Sequence, residues 1–231
     1  MSGRVVLVTG GTRGIGRATA DAFVAQGDQV AVTYRKEPVE GFTNVRCDVT
    51  SADDVRLAFA EVEERLGPVE VLVANAGITQ DGLVLQLTEE AFTAVLDANL
   101  VGTFRCVRQA VPRMIRARRG RIVLVSSVVA MMGSAGQTNY AASKAGLVGF
   151  ARSLAREIGS RSVTVNVVAP GFVDTELTRV LPEERRQALL DHVPLRRLGK
   201  VNDVAGVIAW LASDAAAYVT GAVIPVDGGL G

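Results

Sequence analysis

Short apolar runs alternate along the chain with longer stretches in which apolar residues recur at helical spacing. The runs fall at 4–8, 29–33, 69–73, 121–125, 162–167 and 222–226, and the helical stretches at 14–26, 52–66, 89–117, 140–159 and 202–212. A run such as Val5-Val6-Leu7-Val8 shows no polar alternation, the pattern of a strand buried on both faces. Such strands separated by helices predict an α/β fold, a doubly wound parallel sheet, in one domain over residues 1–231. Pro112, inside 89–117, predicts a kink or an early break.

Composition narrows the classes. With 231 residues, 48% of them hydrophobic, the chain can bury roughly 70% of its unfolded surface. A net charge of +1 speaks against a nucleic-acid partner. Charges interrupt every apolar segment well short of the ~20 residues of a membrane span, and the N-terminus leads directly into the first strand, so neither membrane anchor nor signal peptide is expected. Cys47 and Cys106 are too few for a disulfide framework and read as reduced packing residues, which implies a cytoplasmic location. His192, the only histidine, has no partner for a metal site.

Two patterns carry chemistry. Directly after the first strand comes Thr9-Gly10-Gly11-Thr12-Arg13-Gly14-Ile15-Gly16, glycines placed where a strand hands over to a helix N-terminus. Backbone N–H groups there can approach a pyrophosphate that a Cβ would hold away. An ordinary glycine-rich turn fits the same residues. Farther on, Tyr140 and Lys144 stand four apart, one helical turn, so an ammonium can act on a phenol that otherwise titrates near pH ~10. Ser127 lies thirteen residues before Tyr140, with Ser126 as its immediate rival.

Together these residues resemble the short-chain dehydrogenase/reductases. The marks of that family appear in order: Thr9 to Gly16, Asn75-Ala76-Gly77, Asn99, Ser127, Tyr140 with Lys144, and Pro170-Gly171. One departure is Ala74, where many relatives carry a second Asn. The resemblance implies a Rossmann-like fold and a catalytic set of Asn99, Ser127, Tyr140 and Lys144. Tyr140 would be the general acid and Ser127 would polarise the substrate carbonyl. Lys144 would hold the nicotinamide ribose and lower the phenol's pKa, and Asn99 would support a water that returns the proton. The implied cofactor contacts are Gly10, Thr12, Arg13, Gly14, Ile15, Gly16, Arg35, Asp48, Val49, Asn75, Ala76, Gly77, Tyr140, Lys144, Pro170, Gly171, Val173 and Thr175. Asp48 matches the position that contacts the adenine ring; a simple turn aspartate fits as well.

The end of the second strand reads Thr33-Tyr34-Arg35-Lys36, with no carboxylate before Glu37. An acid there would bind a free ribose 2′-hydroxyl, whereas Arg35 and Arg13 can converge on a 2′-phosphate, so NADPH is expected over NADH. Two solvated arginines are the alternative.

Within the family, Gly133 to Gly146 and Pro170 to Thr175 look like the 3-oxoacyl-[acyl-carrier-protein] (β-ketoacyl) reductases of bacterial type II fatty-acid synthesis, including their mycolic-acid branch. That implies reduction of a 3-oxoacyl thioester to the (3R)-3-hydroxyacyl product, a homotetramer built through the two long helices and the last strand, and an acidic acyl-carrier protein as partner. Arg118 and Arg161 match its docking positions, in a basic patch expected near the active-site mouth; a solvated helix end is the rival reading. Leu177, Val180, Leu181, Leu189 and Leu190 can line an acyl channel or belong to the core. An acetoacetyl-CoA reductase, a general carbonyl reductase and a non-catalytic cofactor sensor share much of this pattern.

Overall fold

Seven parallel strands form one sheet in the order β3-β2-β1-β4-β5-β6-β7. They are β1 (Val5–Val8), β2 (Gln29–Tyr34), β3 (Thr43–Arg46), β4 (Val71–Ala74), β5 (Gly120–Val125), β6 (Val163–Pro170) and β7 (Val223–Val226). The helices are α1 (Gly14–Ala25), α2 (Ala52–Leu66), α3 (Glu89–Leu96), α4 (Gly102–Ala117), α5 (Val129–Met132), α6 (Thr138–Ile158) and α7 (Val201–Leu211). This computed structural model describes residues 3–174, 187 and 190–231.

Every residue of β1, β4, β5 and β6 is buried; β1 and β4 are unbroken apolar runs, while β5 and β6 also bury Arg121, Thr164 and Asn166. Phe59 of α2, Met114 of α4 and Leu147 and Ile158 of α6 pack on one face of the sheet. Phe23 of α1 and Ile208 and Leu211 of α7 pack on the other. The chain runs outward from β1 to β3, then returns to lay β4 against β1 and runs outward the other way. That reversal opens a crevice at the carboxyl ends of β1 and β4, where open α/β sheets bind ligands.

Four elements differ from the sequence reading. The edge strand β3, Thr-Asn-Val-Arg, buries only Val45 and so lacks an apolar run, yet it pairs with β2 from Ala31↔Thr43 to Tyr34↔Arg46. The stretch 89–117 is two α-helices joined by a π turn, Asp97–Val101. Pro112 does not end α4, which continues to Ala117. Helix α6 starts at Thr138, which puts Tyr140 in its first turn. At β7, Pro225 sits on the sheet's outer edge, where its missing N–H breaks no ladder.

Candidate active site

The glycine loop is built against β4. Thr9 Oγ1 accepts the backbone N–H groups of Asn75 and Ala76, each at 3.0 Å, and Asn75 Nδ2 donates to the carbonyls of Thr9 (3.0 Å) and Gly10 (3.1 Å). Gly10 N–H donates to Thr33 Oγ1 at the end of β2 (3.0 Å). Three carboxyl strand ends are thereby fixed to one another. Gly10 has φ +62°, and a Cβ on Gly16 would run into the Gly10 carbonyl oxygen and lie 2.5 Å from Asn75 Nδ2. Arg13, the residue before α1, makes no side-chain cap, and the first turn of α1 holds no acidic residue. Its backbone N–H groups thus face a glycine-lined cradle suited to an anion. A dinucleotide pyrophosphate fits what is there.

Around the adenosine end, Arg35 lies on the surface with Nη1 4.0 Å from Asp48 Oδ2. Asp48 Oδ1 accepts from Thr50 N (3.0 Å) and Thr50 Oγ1 (2.7 Å), and these bonds with Arg35's charge hold its carboxyl below the usual range. Val49 packs under Gly102, and its carbonyl accepts from Arg105 (3.2 Å). At the other end, Gly171 donates to Val226 O (3.0 Å) and Val173 bridges Gly199. Thr175, like Leu177, Val180, Leu181 and Leu189, lies outside the described residues.

The catalytic candidates converge at the end of β5. Ser126 and Ser127 diverge: Ser126 Oγ donates to the backbone of Lys144 (2.9 Å), while Ser127 Oγ accepts from Val129 N (3.2 Å) and its hydroxyl bears on the Tyr140 phenol, favouring its ionised form. Lys144, 4% exposed, donates from Nζ to Val125 O at 2.8 Å and lies 5.6 Å from the Tyr140 ring centroid. Burial draws Lys144 down to about 8.

Burial, reinforced by the carboxylate of Asp81, pushes the Tyr140 phenol up, against the opposing effect of the Ser127 hydroxyl. The phenol therefore carries its proton at neutral pH, the form an acid needs. Asn99, fully buried in the π turn, is a brace: Nδ2 donates to Ile78 O and Ser143 Oγ, both at 3.0 Å, and Oδ1 accepts from Ile78 N (2.8 Å). Only one lone pair of Oδ1 remains for a water. A Cβ on Gly77 would lie 2.9 Å from that oxygen and 3.5 Å from Lys144 Nζ, so the Asn75-Ala76-Gly77 corner touches the catalytic cluster.

The basic pair is not where a patch at the active-site mouth would be. Arg118 precedes β5 and donates to Ser160 O (3.1 Å), beside Arg161, which precedes β6. Ser127 follows the far end of β5, whose six residues span about 20 Å. In one subunit the pair and the catalytic cluster occupy opposite edges of the sheet. Of its neighbours, Arg119 reaches Glu70 (3.8 Å) and Arg121 reaches Asp214 (3.1 Å).

The sequence marked Thr9 as part of the glycine motif and Ser126 as the rival of Ser127 without showing what either bonds, and its spacing gave Asn139 no role. Asn139 is fully buried, donates to Gln80 O (2.9 Å) and accepts from the N–H of Tyr140 (2.8 Å). Among the described residues there is no metal-binding cluster and no helix long and apolar enough to cross a membrane.

A family model described as Enoyl-(Acyl carrier protein) reductase matches residues 10–231. The chain is 52% identical over 229 residues to the 3-oxoacyl-[acyl-carrier-protein] reductase MabA of Mycobacterium avium, covering 99% of this chain and 90% of that protein. It is 46% identical over 243 residues to the 3-oxoacyl-[acyl-carrier-protein] reductase FabG of Pseudomonas aeruginosa, covering 100% of this chain and 98% of that protein. The FabG of Salmonella typhimurium is 42% identical over 239 residues, covering 99% and 97%.

Proposed function

The chain belongs to the short-chain dehydrogenase/reductase family, and from that premise we propose that it reduces 3-oxoacyl-[acyl-carrier-protein] thioesters to (3R)-3-hydroxyacyl products in type II fatty-acid synthesis. The observation that carries this reading is the convergence of Ser127, Tyr140 and a buried Lys144 at the end of β5, joined through Gly77 to the glycine loop. The relatives named above supply the substrate class.

NADPH, when bound, supplies the hydride. The cradle of Gly10 to Gly16 would hold its pyrophosphate, and Arg35, now only 4.0 Å from Asp48, would with Arg13 hold the 2′-phosphate. Ser127 orients the 3-oxo oxygen against the Tyr140 phenol. As C3 gains the hydride, the oxygen takes the phenol's proton, and the tyrosinate is reprotonated from the Lys144 side. Lys144 is suited to this because its pKa near 8 lets it release and regain a proton close to neutrality.

The working unit we propose is a cytoplasmic homotetramer of one-domain subunits. Support comes from the α4/α6 face, where Phe104, 45% exposed, meets Phe150 edge to face with centroids 6.4 Å apart. They border a groove of about 380 Å³ flanked by Arg108 of α4 and Glu157 of α6, a charge pair that a two-fold can satisfy reciprocally. Carrier protein docked on Arg118 and Arg161 would then serve a neighbouring subunit's site.

The test is kcat/KM with acetoacetyl-acyl-carrier protein, acetoacetyl-CoA and a simple ketoester, each with NADPH. Preference for the carrier-protein thioester is expected; activity on the ketoester alone would overturn the substrate reading.

A further inference from the structure

The loop after β4 and the start of α6 are tied together by three hydrogen-bonded contacts that neither the catalytic set nor the cofactor cradle requires. Gly82 N–H donates to Gly136 O (2.8 Å) and Asn139 Nδ2 donates to Gln80 O (2.9 Å). Between them, Gln137 Nε2 donates to both oxygens of Asp81, at 3.2 and 3.0 Å. Thr79 Oγ1 donates to the same carboxylate, which stiffens it from its own loop. Gln137 stands three residues before Tyr140, at the head of α6, so whatever fixes Asp81 and Gln137 also fixes where the phenol enters the site.

We propose that Asp81, held by Gln137, is a positioning residue for Tyr140 that keeps a negative charge beside the catalytic phenol. The proposal deepens the reductase reading and rests on it for the role of the phenol. Among the described residues, three groups from separate elements act on Tyr140: the Lys144 ammonium from α6 at 5.6 Å from the ring centroid, the Ser127 hydroxyl after β5, and Asp81 from the loop after β4, bonded to Gln137 three residues before the phenol. Of these, Asp81 acts in the same direction as burial, against ionisation of the phenol. A neighbouring anion disfavours phenolate, so its removal lets the phenol ionise at lower pH. For carbonyl reduction, where the protonated phenol is the active form, that moves the alkaline limb of the pH profile downward.

The experiment uses the full chain in a Tyr34→Phe/Tyr218→Phe background, which leaves Tyr140 as the only tyrosine. Phenolate absorbance is titrated with and without Asp81→Asn, a change that keeps the side chain's size and one acceptor for Gln137. The expected result is a midpoint shifted to lower pH in Asp81→Asn, with the alkaline limb of kcat/KM shifting in step. Gln137→Ala, which frees the carboxylate to swing into solvent, should shift the midpoint in the same direction. Equal midpoints with and without Asp81→Asn would overturn the proposal, whatever happens to kcat. Because the titration needs no substrate, it reads the latch even if no 3-oxoacyl thioester is turned over, an outcome that would count against the reductase reading instead.

Discussion

Replacing Lys144 with methionine should make the cofactor-free protein more stable at neutral pH while removing its activity. The ammonium is buried at 4% exposure with one backbone carbonyl, Val125, as its hydrogen-bond acceptor, and burial lowers its pKa from 10.5 to about 8. That depression corresponds to roughly 3 kcal/mol by which the folded state disfavours the charged form. Methionine removes this term but leaves the Val125 carbonyl unpaired, at about 1–2 kcal/mol. The net gain is about 1–2 kcal/mol, or about 4 °C in Tm for a chain of this size. The sign follows from linkage. Stability contributed by a group with a depressed folded pKa is present in full above 10.5 and lost as pH falls through about 8. The wild type therefore gains stability across that window and Lys144→Met does not. Thermal unfolding of both proteins, free of cofactor, from neutral pH to above 10 should show the variant ahead at first and the gap closing with pH. A variant that melts lower at neutral pH, or a gap that stays constant through the window, would refute the reasoning.

Tyr140→Phe should lower kcat by about 10²–10⁴ while NADPH still quenches protein fluorescence with unchanged Kd; turnover within tenfold of wild type would remove Tyr140 from the acid's role. Arg35→Glu should lower kcat/KM with NADPH by at least about tenfold and leave NADH little changed, because a charge-assisted bond to the 2′-phosphate is lost. Equal losses with both cofactors would contradict that assignment. Phe104→Asp places a charge in the α4/α6 groove and should reduce the particle mass seen by light scattering; an unchanged mass would move the interface elsewhere.

The sheet was legible because its central strands are dominated by apolar residues, and β1 with its glycine loop announces itself within a dozen residues. Strand β3 was not, since an edge strand with one buried residue leaves no periodic trace. The catalytic set was readable as types at spacings, but spacing is blind to direction. Ser126 and Ser127 are neighbours in sequence, yet one bonds the backbone of α6 and the other turns toward the phenol. The placement of Arg118 and Arg161 was hidden for a related reason: their charges are visible in the sequence, and the edge of the sheet they occupy is decided by which ends of β5 and β6 they adjoin. The Asp81 to Gln137 contact joins residues 56 positions apart and carries no motif at all.

The π turn at Asp97–Val101 makes chain length, as much as residue identity, part of the catalytic apparatus. Its wider ring holds one residue more than an α-helix would, and that surplus turns Asn99 toward Ile78 and Ser143. Deleting any one residue between 97 and 101 would convert the turn to regular α-helix, which keeps α3 and α4 nearly in phase but takes Asn99 off its bonds to Ile78 and Ser143. In a library of single-codon deletions this segment should therefore stand out as intolerant even at positions where point substitutions are accepted, such as the partly exposed Val101. Within these five residues the count itself matters, because the one surplus residue is what aims Asn99.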